Sequence, residues 1–148
     1  MIEYKVKVDD IGNKVWYLND KRHREDGPAI EWVDGTKKWY LNGKLHREDG
    51  PAIERASGDK EWWLNGKKHR EDGPAIEWSN GSKEWFLNGQ RHREDGPAID
   101  RESGYKEWWI NGDQLISEQE FNNRTQTKEL TIEQIEAKLG YKIKVVGD

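Results

Sequence analysis

His23-Arg24-Glu25-Asp26-Gly27-Pro28-Ala29-Ile30 decides the fold of this chain, because it returns unchanged at His46–Ile53, His69–Ile76 and His92–Ile99. The step is 23 residues each time. A second group runs ahead of it at the same step: Trp16-Tyr17-Leu18-Asn19, Trp39-Tyr40-Leu41-Asn42, Trp62-Trp63-Leu64-Asn65 and Trp85-Phe86-Leu87-Asn88. A fifth copy, Trp108-Trp109-Ile110-Asn111, has no His-Arg-Glu-Asp after it. A fixed period of this length marks a repeat architecture, whose units bury apolar surface only by stacking on one another.

The composition sets a constraint on how such units hold together. Hydrophobic residues make up 32% of the 148 and charged residues 36%, a mix that by itself favours disorder. Nine tryptophans act against that, since each large ring buries about 150–250 Å². The expectation is a thin core of Trp, Leu and Ile. There is no cysteine, hence no disulfide and no thiolate chemistry. No signal-peptide core and no long apolar span is present, which points to a cytoplasmic protein without a membrane segment. The net charge of −4 disfavours general nucleic-acid binding and attachment to anionic lipid.

Turn chemistry gives the local fold. Asn42-Gly43, Asn65-Gly66, Asn88-Gly89 and Asn111-Gly112 are two-residue hairpin signals, with Asn19-Asp20 in the first unit. Asp34-Gly35, Ser57-Gly58, Asn80-Gly81 and Ser103-Gly104 form a second set, with Ile11-Gly12 at the start. Read as two-residue turns, these put Ile30 opposite Trp39 and Trp39 opposite His46. Trp39, Leu41, Ile30 and His46 then share one face, and Lys38 and Tyr40 the other. His46 and Ile53 are an odd number of residues apart, so a straight strand cannot place both on one face. The spacing therefore predicts a bulge or bend at each Asp-Gly-Pro, as at Asp49-Gly50-Pro51. The resulting fold class is mainly β: an elongated, twisted antiparallel meander of hairpin repeats over residues 1–112, with a small α+β cap over 113–148. In the cap, Ser117–Glu120 and Thr131–Gln134 read as capping boxes and Asn122–Lys128 as a loop. Gly140 reads as a helix stop. Tyr141, Ile143 and Val145 alternate as a closing strand. The tail either only caps the array or also docks a partner.

His-Arg-Glu-Asp contains an imidazole, a cation and two carboxylates, yet four equal copies argue against one catalytic pocket. No enzyme activity and no cofactor is expected. Histidines in neighbouring units lie two strands apart, about 9–10 Å, too far to share a zinc ion. Trp39, Trp62 and Trp85, with His46, His69 and His92 and the bend Asp49-Gly50-Pro51, are therefore structural repeat positions. One position alternates regularly, as Trp32, Arg55, Trp78 and Arg101. An indole and a guanidinium both make strong protein contacts, so this row is the candidate protein-binding surface.

The 23-residue unit, with its Asn-Gly-Lys-x-His run and recurring Gly, resembles a MORN-type repeat. That family builds an elongated, curved antiparallel sheet of hairpins. MORN units usually continue His-Gly-x-Gly, whereas His46 is followed here by Arg47-Glu48-Asp49-Gly50-Pro51, so lipid binding is not implied. The repeat is more similar to repeat proteins of tailed bacteriophages and large DNA viruses that share Trp-Tyr-Leu-Asn-Gly-Lys-x-His-Arg-Glu-Asp-Gly-Pro-Ala-Ile-Glu. Phage proteins of this kind also end in a segment like Leu130–Ile135 followed by Leu139-Gly140-Tyr141. The resemblance implies a phage accessory protein in the cytoplasm of an infected bacterium. The function expected is a protein-interaction module that binds a host protein, with interference in host defence as its use. The alternatives are a sponge for a nucleotide-like signalling ligand held by the Trp/Arg row, and a virion component. Open sheet edges, or the C-terminal cap, offer a route to a homodimer.

Overall fold

Each unit makes two hairpins of different kinds. In the second unit, Ile30–Glu31 pairs with Lys37–Lys38, and Tyr40–Leu41 pairs with Lys44–Leu45. The chain is described over residues 3–125, 131–140 and 142 in a computed structural model. The first kind of hairpin, repeated, builds a 12-stranded antiparallel sheet, and the second kind stacks beside it. Two short helices follow.

The Asn-Gly turns are as the sequence indicates. Asn42 has φ 51° and Gly43 φ 81°, the doubly left-handed pair of a type I′ turn. The Asp-Gly turns are not two-residue turns. The Trp32 N–H donates to the Thr36 carbonyl at 2.9 Å and the Gly35 N–H to the Trp32 carbonyl at 3.0 Å. Gly35 stands at φ 93°. This is a three-residue loop, a tight turn closed by a left-handed glycine. The extra residue shifts the register by one, so Ile30 faces Lys38 and Glu31 faces Lys37. Ile30 therefore belongs to the Lys38 and Tyr40 side of the sheet, not to that of Trp39, which corrects the expected grouping.

Trp39 is the joint between the two hairpins. Its N–H donates to the Ala52 carbonyl at 2.8 Å, and its carbonyl accepts from the His46 N–H at 3.1 Å. One residue of the outgoing strand thus meets two residues of the return strand, and of the residues between them Glu48 through Pro51 bulge out of the ladder. Trp16, Trp62 and Trp85 make the same pair of bonds. The bend expected at Asp-Gly-Pro is present in all four copies, but not for the expected reason: Ile53 lies opposite Lys38 and His46 opposite Trp39, so the two residues fall on different sides of the sheet, as an odd spacing allows.

The register sorts side chains into rows. On one side, Ile30, Ile53, Ile76 and Ile99 are buried and lie opposite Lys38, Glu61, Glu84 and Glu107. On the other, Lys14, Glu31, Lys37, Glu54, Lys60, Glu77, Lys83, Asp100 and Lys106 follow one another across the strands with alternating sign. Opposite charges placed face to face stabilise a sheet by about 0.2–1 kcal/mol per pair.

Neighbouring units are also tied by side chains. The Asn13, Thr36, Asp59 and Ser82 side-chain oxygens accept the backbone N–H of Val33, Ala56, Ser79 and Glu102 at 2.9, 3.1, 2.7 and 3.0 Å. Each tie links one three-residue loop to the next. The Asn-Gly hairpins are joined by backbone bonds, such as the Gly43 N–H to the Arg22 carbonyl at 2.8 Å and the Arg24 N–H to the Tyr40 carbonyl at 3.0 Å.

The ends are covered differently. At the start, Lys5–Val8 pairs with Lys14–Leu18, and the Tyr4 ring lies 6.3 Å from His23. After the last hairpin, helix α1 spans Glu118–Thr125, with Phe121 and Leu115 buried. The Ser117 hydroxyl accepts the Glu120 N–H at 3.1 Å, and the Glu120 carboxylate accepts the Ile116 N–H at 2.8 Å. The expected loop from Asn122 is instead helical as far as Thr125, whose hydroxyl donates to the Phe121 carbonyl one turn back. Helix α2 spans Ile132–Leu139, with Thr131 and Gln134 forming the capping box and Gly140 at φ 75° ending it. The expected strand through Tyr141, Ile143 and Val145 lies outside the described residues.

Asp20 provides a test of the turn. It sits at φ 59°, where later units have glycine. An aspartate pays a steric cost there that glycine avoids. Asp20→Gly should raise stability by about 0.5 kcal/mol, read as a higher urea midpoint at unchanged slope.

Candidate interaction surface

The bulge is organised by its arginine. The Arg47 guanidinium lies 4.0 Å from the centre of the Trp39 ring. Its Nε donates to Asp49 Oδ1 at 2.8 Å, and Nη1 donates to the Pro51 carbonyl at 3.2 Å and to Glu54 Oε1 at 2.9 Å. Arg24 and Arg70 repeat this set with Asp26, Pro28 and Glu31, and with Asp72, Pro74 and Glu77. Arg93 keeps Asp95 and Pro97, but Asp100 replaces the glutamate and makes no bond to it among the described residues. A planar, five-donor guanidinium suits this task and an ammonium does not.

Gly50 is required by the same arginine. A Cβ at Gly50 would stand 3.0 Å from Arg47 Cζ and 3.2 Å from Nε. The glycine of Asp-Gly-Pro thus serves close approach of a pinned guanidinium, not a left-handed turn. Gly27, Gly73 and Gly96 stand in the same relation to Arg24, Arg70 and Arg93.

The histidines point the other way along the array. Nδ1 of His23, His46, His69 and His92 accepts the backbone N–H of Asn42, Asn65, Asn88 and Asn111 at 3.0, 3.1, 3.0 and 3.0 Å. This leaves the proton on Nε2 in His46, His69 and His92, with Nε2 turned towards Glu48, Glu71 or Glu94 at 3.5–3.7 Å. His23 Nδ1 also lies 3.1 Å from Asn42 Oδ1, and its Nε2 lies 3.5 Å from Glu25. Among the described residues, no group of His, Asp and Glu is arranged to hold a metal ion.

Between successive bulges lie three equivalent grooves. Trp39 and Leu41 floor the first, Trp62 and Leu64 the second, and Trp85 and Leu87 the third. Their volumes are about 760, 650 and 640 Å³. Pro28, Pro51 and Pro74 form one wall. The rims are acidic: Glu48 and Asp49 are 85% and 84% exposed, while the Arg47 side chain beside them is only 22% exposed. Hydrogen bonding from Arg47 holds the Asp49 carboxyl below the usual aspartate range, and Asp26, Asp72 and Asp95 are lowered by their own arginines.

The Trp32, Arg55, Trp78 and Arg101 row lies on the Ile30 side of the sheet, away from the grooves. Trp32 is 41% exposed, with the Lys38 ammonium 4.6 Å from its ring. Arg55 pairs with Glu61, Trp78 packs on the Ala75, Ile76 and Phe86 cluster, and Arg101 Nη2 lies 2.8 Å from Glu84 Oε1. Glu61 and Glu84 are 6% and 5% exposed, which the sequence reading did not anticipate. A further ladder runs along the Asn-Gly hairpins, where Arg22 faces Tyr40, Lys68 faces both Trp63 and Phe86, and Arg91 faces both Phe86 and Trp109, at 5.1–5.6 Å.

No protein-family model matches this chain, and no curated protein matches it in sequence. Among the described residues, no helix is long and apolar enough to cross a membrane.

Two outcomes follow from the arginine cluster. Arg70→Lys, which keeps the charge but loses the fork and the stacking, should lower stability by about 2 kcal/mol in urea unfolding, whereas Glu71→Gln on the exposed rim should change it by less than about 0.5 kcal/mol. The four lowered aspartates release their protons more readily folded than unfolded. Their contribution is complete above the ordinary aspartate value of about 3.9 and disappears as pH falls through the lowered folded values. Thermal midpoints should therefore fall below about pH 4, and Asp49→Asn should flatten that acid limb.

Proposed function

We propose that this chain is a non-enzymatic protein-interaction module, a bacteriophage accessory protein that binds a host protein in the cytoplasm of the infected bacterium and so hinders a defence system. The observation that carries the reading is the equivalence of the three grooves. Each has the same floor, wall and rim, and each succeeds the last along the array. A catalytic centre needs one arrangement in one place. A surface that repeats is suited to a partner that extends along it. The His Nδ1 atoms, the obvious bases, are all engaged with backbone N–H groups. The phage assignment is supported by the resemblance of the 23-residue unit to repeats of phage proteins. A nucleotide sponge built on the Trp32 to Arg101 row is less well supported, because Arg55 and Arg101 already hold buried carboxylates.

Affinity purification of the full chain from infected bacteria, followed by mass spectrometry, tests this. One host protein should be enriched over an unrelated acidic bait and should bind the purified chain directly. Recovery of no such protein, or detection of the chain as a stoichiometric part of purified particles, would overturn the proposal.

A further inference from the structure

The chain's charge is not spread evenly over its surface. Each copy of Arg-Glu-Asp carries one positive and two negative charges, so the four bulges hold a formal −4, equal to the net charge of the whole chain. The remainder is electrically balanced. That surplus lines grooves whose floors are apolar, and Glu25, Asp26, Glu48, Asp49, Glu71 and Asp72 are 60–85% exposed. Their arginines are folded inwards at 20–22% exposure. An apolar floor under a carboxylate rim matches a side chain with an apolar stem and a cationic tip, which is the form of lysine and arginine.

The spacing narrows the partner further. Successive grooves are separated by two strands, about 9.4–9.8 Å. A polyproline II segment advances about 9.3 Å per turn of three residues. A β-strand presents the same side every second residue, at about 6.7 Å, and misses the spacing. A helix returns to one side after seven residues, at about 10.5 Å, and drifts out of step by about 2 Å over three grooves. Only the three-residue repeat keeps a side chain above each floor.

Resting on the protein-interaction reading, we propose that the three grooves together bind one extended, polyproline-II-like basic segment of a partner protein, with a lysine or arginine at every third position. The stem of each basic residue lies on the Trp and Leu of a floor and against the groove proline. Its cationic tip meets the glutamate and aspartate of the rim. The partner's contact sequence is thus of the form Lys-x-x-Lys-x-x-Lys, rich in proline and poor in acidic residues.

The test uses the full chain and synthetic peptides of equal charge, four lysines each. Labelled (Lys-Pro-Pro)₄ is compared by fluorescence anisotropy with peptides carrying lysine at every second or every fourth position, and with a helical peptide carrying lysine at every seventh. The spacing-matched peptide should bind at least tenfold tighter than the others. Glu48→Lys combined with Glu71→Lys should abolish that preference while leaving the thermal midpoint within a few degrees of the parent. Equal binding by all spacings, tighter binding by the helical peptide, or no binding overturns the proposal. So does retention of a purified host partner at full affinity by the doubly reversed variant, although that result leaves the protein-interaction reading standing on another surface.

Discussion

An arginine guanidinium held over a tryptophan ring is the contact on which this molecule depends, and it recurs in four units. Arg47 over Trp39 has counterparts in Arg24 over Trp16, Arg70 over Trp62 and Arg93 over Trp85, at 3.8–4.3 Å. Short-stranded sheets leave little apolar surface to cover one another, and a chain with 32% hydrophobic residues has little from which to build a thick core. The guanidinium does both jobs at once. Its carbon sits over the indole ring, and its N–H groups collect acceptors that the bulge would otherwise leave without donors. The sheet is thus roofed by its own polar side chains.

The same contact explains the identity of the octapeptide. Asp49 supplies one acceptor and Pro51 another through its carbonyl, while Gly50 leaves room for the guanidinium. His46 is then directed at the next unit's turn. Few positions in the run are free to change without loss of a bond. The exposed glutamate is the exception, since among the described residues its side chain makes no ion pair beyond the 3.6 Å contact to histidine. Its retention in all four copies has no structural account within the loop, and it is the residue that most strengthens the acidic rim.

Much of this was legible in the residues. The period, the type I′ turns at Asn-Gly, the break at Asp-Gly-Pro and the capping box at Thr131 all announce themselves through residue types with narrow backbone preferences. The register did not. Asp34-Gly35 suits a two-residue turn as well as a three-residue loop, and only Gly35 at φ 93° after a tight turn distinguishes them. That single residue decided the side on which Ile30 lies. The loop-to-loop ties were visible but unread. The residue after each turn glycine is Asn13, Thr36, Asp59 or Ser82, four different types that all present a short acceptor. In the last copy it is Tyr105, whose hydroxyl instead donates to Glu107 at 2.5 Å. The grooves could not be read at all, because they arise from how far each bulge stands out of the ladder, and no residue type encodes that distance.

Every tie between units, whether histidine to turn or loop to loop, joins one unit to the next through the same pair of positions. Removing residues 46–68 would bring His69 to the place of His46, and each bond would find a chemically equivalent partner. The result is the same molecule one groove shorter, and a duplication makes it one groove longer. The reach of the surface is therefore adjustable by recombination between like segments, with no contact needing to be reinvented.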